Sequence, residues 1–281
     1  MSCSRRQILI GASSGLAATS CSSVGLKPHT KQTNHNELFD LSDPDDNLTA
    51  LVKVTGDLNG SAVWHSAQGR IHALRKGEMP LPILAVEGVR RIRFEKISSG
   101  YTMHSRDWAI FRDIETGEVL KEFRNPITGK TNKVSPILIP PTQWDMTPNK
   151  GQQMPDYTGE AYLIDRPLLL PWVKEGDQMT MLLELLVKYS SGTAGGEWEH
   201  FNFSANDLNN PSLTSVPTTQ NWTGHSPWLR WMDMGSSEGR TLWQSSGMKH
   251  AQYESLRPEF IEAINMFYAG SLEAPETYIK P

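Results

Sequence analysis

Along most of this chain apolar and polar positions alternate in short runs with a period of two, the pattern of half-buried strands. Ile92 and Phe94 alternate with Arg91, Arg93 and Glu95, and Val119 and Phe123 share a face opposite Leu120. The organising stretch is Tyr101 to Gly129. It uses one device twice, Asp113-Ile-Glu-Thr-Gly117 and Asn125-Pro-Ile-Thr-Gly129: an Asp or Asn that caps a type I turn, then a Gly able to take positive φ. Glu118 to Arg124, between the turns, is one strand long, so the stretch reads as an antiparallel meander.

Around it the pattern predicts strands at Leu51 to Val54, Ala62 to His65, Arg70 to Arg75, Ile83 to Val86, Arg91 to Ile97, Lys133 to Ile139 and Gly159 to Leu170. Asp57-Leu-Asn-Gly60, Gln68-Gly69 and Glu87-Gly88 read as the breaks between the early ones. Gln178 to Tyr189 fits a helical stripe and also a strand buried on both faces. It is taken as a strand because a Gly-rich loop and the alternating Glu197 to Ser204 complete a hairpin. Thr142 to Tyr157 and Asn206 to Ser226 read as irregular, and Arg240 to Ser245 as a last strand before Gly247. One helix stands out: Pro258 suits a first helical position, Phe260, Ile264, Phe267 and Tyr268 share a face, and Gly270 ends it. The fold class is therefore all-β, an antiparallel calycin-like barrel or strongly curved sheet of about eleven or twelve strands, with one C-terminal helix.

The N-terminus carries an address. Ser4-Arg5-Arg6-Gln7-Ile8-Leu9 and the small-residue run to Ser20 read as a twin-arginine export signal over residues 1–21. Cys3 and Cys21 both lie in it, so the body, with no other cysteine, has no disulfide and no thiolate metal ligand. Two readings of Cys21 stand: lipidation, as in a lipoprotein, or signal cleavage nearby. Residues 22–50, polar at first, are expected to be a flexible tether, and 51–281 a β-rich domain. The expected location is the periplasm or cell envelope, with membrane contact only through a lipid on Cys21. With 27 basic and 31 acidic residues the formal charge is −4, and no basic run is present, which argues against nucleic-acid binding.

Two groups of residues could carry chemistry. His104, Arg106 and Trp108 share one strand face, and Trp198, His200 and Asn202 share another; looking into one cavity they would make an apolar wall with a few directed polar groups. The second group is Asn221 to Gly235, where Trp222, Trp228 and Trp231 stand with His225, Arg230 and Asp233, offering rings for stacking. Each group also reads as ordinary structure, a partly buried sheet or a loop tied down by its rings. Gly235-Ser-Ser-Glu-Gly239 matches a hydrolase pattern without the strand-to-helix elbow that gives it meaning. No histidine pair has helical metal-ligand spacing, Glu197 and Glu199 point together without His200, and no phosphate loop or dinucleotide fingerprint occurs; neither metal nor cofactor is expected.

Three stretches, Phe111 to Leu120, Asn125 to Gly129 and the Trp-rich Ser226 to Gly235, give the chain a resemblance to an exported bacterial and fungal family catalogued as domain of unknown function 1838. The resemblance runs from about Leu51 to Pro275 and implies no activity, cofactor or catalytic residue. The functional expectation comes from the residues alone: an envelope protein that binds a small apolar or aromatic ligand against Trp108, Trp198 and the Trp222 to Trp231 loop. In that reading His104, Arg106, His200 and Arg230 orient the ligand's polar end. The alternative is a cofactor-independent isomerase, cyclase or lyase in the same pocket. There His225 or His200 is the general base, Arg230 or Arg106 stabilises an oxyanion, and Asp233 orients the histidine.

Overall fold

Strands account for most of the elements in the computed structural model, which describes residues 37–148, 153–156, 159–162, 171–188 and 194–276. The expected export signal lies outside them, as does the tether up to residue 36. In chain order the elements are α1 (Pro44–Thr55), β1 (Val63–Leu74), β2 (Leu81–Ile97), β3 (Gly100–Arg112), β4 (Glu122–Arg124), β5 (Thr131–Lys133), β6 (Ile137–Leu138) and β7 (Thr142–Met146). There follow β8 (Gln153–Asp156), β9 (Gly159–Tyr162), β10 (Trp172–Glu175), β11 (Gln178–Lys188), β12 (Ala194–Ser204), α2 (Ala205–Leu208), β13 (Thr219–Ser226), β14 (Arg240–His250) and α3 (Pro258–Tyr268). The main sheet runs β6-β3-β2-β1-β14-β13-β12-β11-β9-β8, with β7 beside β6 on β3 and β10 on β11; β4 and β5 form a separate hairpin. Every pairing is antiparallel.

The sheet is cupped, because side chains on β2 and β12 meet although β1, β14 and β13 lie between them in the sheet. Its two ends do not pair among the described residues, so the strongly curved sheet is the form taken and a closed barrel is not. The devices that bend it were expected to be turns. Gln68-Gly69 lies inside β1, Glu87-Gly88 inside β2, and Gly247 inside β14. A Cβ on Gly69 would sit 1.9 Å from the Gln244 carbonyl oxygen, and one on Gly247 would sit 1.6 Å from that of Ser66. Only glycine lets β1 and β14 lie this close, so what look like strand ends in the sequence are sites of strand curl.

Both ends of the cup are filled. At one end α1 enters the concave face and buries Leu48, Ala50, Leu51, Val52 and Val54 among Ile92, Phe94, Met103, Met181, Phe201 and Phe203. Leu51 to Val54, expected as a strand, belongs to this helix, as do the last residues of the expected tether. Its start has the usual chemistry: Asp43 caps the backbone N–H groups of Asp45 and Asp46 and Pro44 takes the first position. It is buried almost all round, which erases the one-sided stripe by which a helix is recognised in sequence. Lys53 is 0% exposed, and its ammonium donates to the carbonyls of Leu208 (2.6 Å) and Asn210 (2.8 Å) at the end of α2. Burial pushes its pKa down, opposed by Asp207.

At the other end the Pro227 to Gly235 loop lies over the cup with the second turn of the meander. Met232, Met234, Phe123 and Phe111 pack together there, and the Asn125 amide donates to the Met232 carbonyl. Both predicted turns form, with Gly117 at φ 75° and Gly129 at φ 71°. Between them only Val119 bridges to β3 before the short β4, so the meander continues as a side hairpin and not as a strand of the main sheet. On the convex side α3, where it was expected, sets Phe260, Ala263 and Ile264 against Trp64, Val89, Trp108 and Ile110 of β1–β3. Two stretches read as irregular contain sheet strands: β7 and β8 fall in Thr142 to Tyr157, and β13 in Asn206 to Ser226.

Candidate functional site

Register across the cup sets the floor of a cleft. Directly opposed residues share a face, so Ala109, Gly88, Ala67, Gly247 and Gln220 form one row across β3, β2, β1, β14 and β13. Four neighbouring positions in that row carry at most a methyl group, and space is left between α1 and the Trp-rich loop. The cleft measures about 720 Å³. The adjacent row on the α1 side, Asp107, Arg90, His65 and Lys249, is charged or polar; on the loop side lie Val86, Ser245 and Trp222, and then Trp243.

Arg90 is the centre of the polar pole. Its Nε donates to Asp107 Oδ1 at 2.6 Å and its Nη1 to Glu199 Oε1 at 2.8 Å, the second bond crossing the cup. The neighbouring carboxylates, Asp107 first, hold the guanidinium pKa well above its ordinary value. Glu197 is two residues from Glu199 on the same face and also lines the cleft. Its Oε2 accepts from the Trp222 indole N–H at 3.3 Å. Burial pushes its carboxyl up to about 7, helped by Glu199 and opposed by Arg90.

His65 is held from both sides, Nε2 being 2.7 Å from the Thr55 carbonyl and Nδ1 2.9 Å from the Gln220 amide. Burial drives its pKa down to about 4, so near neutral pH the ring has one N–H, which the carbonyl must receive. Nδ1 then accepts, so the Gln220 amide, whose Oε1 stands at this contact, meets it when turned to present its NH2. Lys249, next in the row, donates to the carbonyls of Lys53, Val54 and Gly56 at the end of α1, and burial lowers its pKa to about 7. The opposite wall is aromatic. Trp222 meets Trp243 edge to face at 5.8 Å, and Trp228, whose indole N–H is given to the Ser237 carbonyl, borders the mouth.

Of the residues singled out from sequence, Trp222, Trp228, His225, Arg230 and Trp108 border this cleft. Trp108 is only 1% exposed, packs against Trp64 and gives its N–H to Ser271, so its ring serves the α3 side. His104 and Arg106 share that convex face of β3; His104 stands 3.5 Å from Glu95, and Arg106 donates to the Pro275 carbonyl. Trp198, His200 and Asn202 likewise point away from the cup: Trp198 donates to Glu184 and lies against His225, Asn202 accepts from Thr180, and His200 is exposed. The two histidine-bearing strands are not neighbours, since β2, β1, β14 and β13 separate them. Trp231 is in the loop core against Phe111 and Phe123. Asp233 pairs with Lys130 at 2.8 Å, so the expected orienting contact to His225 is not made; His225 instead has Arg240 at 3.4 Å, and burial followed by that arginine lowers its pKa.

The cleft thus takes the opposite face of each strand, and Arg90, Asp107, Glu197, Glu199, His65 and Gln220 were not singled out from sequence as ligand contacts. The available signal was the pairing of Glu197 and Glu199 with Phe201 and Phe203 on one face of β12: carboxylates sharing a stripe with buried rings face the interior and not open solvent. Among the described residues no group of three or more His, Cys, Asp or Glu side chains is placed to hold a metal ion.

The family model described as "Protein of unknown function (DUF1838)" matches residues 60–280. The chain belongs to that family. The matched region includes every strand that lines the cleft, while α1, which plugs it, precedes the match. Neither the curated proteins nor the solved structures give a match to this chain.

Proposed function

We propose that the cleft binds a small, largely apolar or aromatic molecule, its body against Trp222, Trp243 and Trp228 and its polar end toward Arg90, Glu199 and Glu197. The observation that carries this reading is the floor: a row of Ala and Gly residues leaves about 720 Å³ open inside a cup that is otherwise filled with Leu, Met and Phe. An apolar wall with a few directed polar groups is the usual composition of a ligand site. In this reading the cupped sheet works as a calycin-like container, with α1 as its base and the Trp-rich loop at its mouth. The leader around Arg5 and Arg6 would place the protein in the periplasm or cell envelope, with any membrane attachment through Cys21.

The test is titration of the chain with 2-tetralone, a flat aromatic ketone, followed by quenching of tryptophan fluorescence. The parent chain should show saturable quenching. Ala67→Leu, which grows a side chain from the floor into the open space, should weaken binding at least tenfold with the thermal midpoint retained, and His200→Ala on the convex face should bind as the parent does. Equal affinity in Ala67→Leu, or loss of binding in His200→Ala, would overturn this placement.

A further inference from the structure

Two features meet at the polar pole that simple binding does not need. Glu197 lines the cleft with one hydrogen bond from the described residues, that from Trp222. Arg90 lies near enough to interact with Glu197 electrostatically, yet its hydrogen bonds go to Asp107 and Glu199. A cation anchored by two carboxylates is fixed in place, and Glu197 stays unneutralised by direct pairing. This is the arrangement required for moving a proton: a carboxyl that can exchange protons with a ligand, beside a fixed positive charge that can face an oxygen gaining electrons.

We propose that Glu197 is a general acid–base residue that transfers a proton at a carbon next to a carbonyl group of the bound ligand, with Arg90 facing the carbonyl oxygen. The inference rests on the ligand-binding reading of the same cleft. In the forward step the C–H bond breaks, its proton goes to the Glu197 carboxylate, and its electron pair moves through the carbon framework onto the oxygen, giving an enolate beside the Arg90 guanidinium. The carboxyl then returns the proton, either to the same carbon or to another along the conjugated system. The second outcome is an isomerisation, and no oxidant, reductant or other co-reactant is consumed. The substrate class is a small enolisable ketone or unsaturated ketone with an apolar or aromatic body.

The surroundings suit that role. The charged and titratable groups around Glu197 are Arg90 on β2, Asp107 on β3, Glu199 on its own strand, His65 beyond the floor, and His225 and Arg230 toward the mouth. His65 is neutral near pH 7 and committed to Thr55 and Gln220, and His225, at the border of the cleft, lies against Trp198 with Arg240 beside it. Burial keeps the Glu197 carboxyl near its midpoint at neutral pH, where a general base is most useful. In this proposal a carboxyl takes the general-base role that the sequence reading gave to His225 or His200.

The experiment uses 2-tetralone in heavy water, with exchange of its C1 protons followed by NMR and binding followed by tryptophan quenching in the same samples. The parent chain should exchange the protons well above the buffer rate, with a rate that falls as the pH drops through about 7 and Glu197 is protonated. Glu197→Gln, which keeps an oxygen for the Trp222 N–H, should still show saturable quenching by the ketone and exchange its protons at the buffer rate. Binding with equal exchange in both chains overturns the proton-transfer role and leaves the binding site standing. Absence of binding to either chain overturns the ligand-binding reading itself, and with it this one.

Discussion

At pH 8, Glu197→Gln is expected to be more stable than the parent chain by about 2 kcal/mol, and the gain should vanish by about pH 4.5. Burial raises the folded-state pKa of Glu197 from 4.5 to about 7. The protonated carboxyl therefore favours folding fully below 4.5, and that contribution is lost as the pH rises through 7. The figure is set below the full electrostatic value because the cleft still brings solvent to the residue. His65 acts in the opposite sense. Its folded-state pKa falls from 6.5 to about 4, so its neutral ring contributes stability that is complete above 6.5 and lost as the pH falls through 4. The two effects oppose each other between pH 7 and 4, and the lowered pKa values of His72, His225 and His250 add to the His65 side. Each substitution then exposes the other group: Glu197→Gln should lose stability toward acid, and His65→Gln should gain it. Urea unfolding at pH 4.5, 6 and 8 checks both. A Glu197→Gln variant no more stable than the parent at pH 8 would mean that burial does not raise the pKa of this carboxyl. A residue that costs stability where it stands is what a functional group in a container would show.

Lys53→Met should cost about 3 kcal/mol, visible as a fall in the thermal midpoint and in the urea midpoint. The methionine fills much of the same space but leaves the buried carbonyl of Leu208 and the half-buried carbonyl of Asn210 without their ammonium donor. Hydrogen bonds to a charged donor are among the stronger ones, and a buried acceptor left unpaired pays its full desolvation cost. Because Lys53 ties α1 to α2 across 155 residues of sequence, the variant should also raise hydrogen exchange in α1 before the rest of the sheet opens. A variant as stable as the parent would show that α1 is held by its apolar face alone.

Much of the architecture can be read from the residues, and the exceptions share a physical cause. The turns at Asp113 and Asn125, the hairpin of β11 with β12 and helix α3 are set by local chemistry: an Asx-capped turn closed by a positive-φ glycine, strict alternation, and Pro258 ahead of a one-sided stripe. Gly69, Gly88 and Gly247 carry the same local signal as a turn, but their meaning depends on neighbours that are distant in sequence. Side by side in long strands they permit the curl and the empty floor, and nothing in a single strand announces that alignment. α1 was missed for a related reason, since burial on nearly all sides gives it the apolar density of a core strand.

The site depended on the same kind of information. Alternation correctly divides β3 and β12 into two faces each, but which face turns inward is fixed by α1 and α3: α1 fills the cup from one side and α3 covers Trp108 from the other. Choosing faces by their histidines and tryptophans therefore selected the convex side. Arg90 and Glu199 are 109 residues apart and meet only because the sheet curls, so their bond had no counterpart in any local pattern. Trp228 was accessible to sequence reasoning because a loop rich in rings at the end of a curved sheet has few places to go, and Trp222, on β13 just before it, came with the same cluster.

The most direct test of the central claim, that the cup holds a small molecule over its Ala and Gly floor, is native mass spectrometry of the chain and of Ala67→Leu, each purified gently from its own host. The account predicts an added mass of small-molecule size on the parent chain, released on denaturation and absent from Ala67→Leu. The same added mass on both proteins would contradict it, because a ligand indifferent to the floor is bound somewhere else.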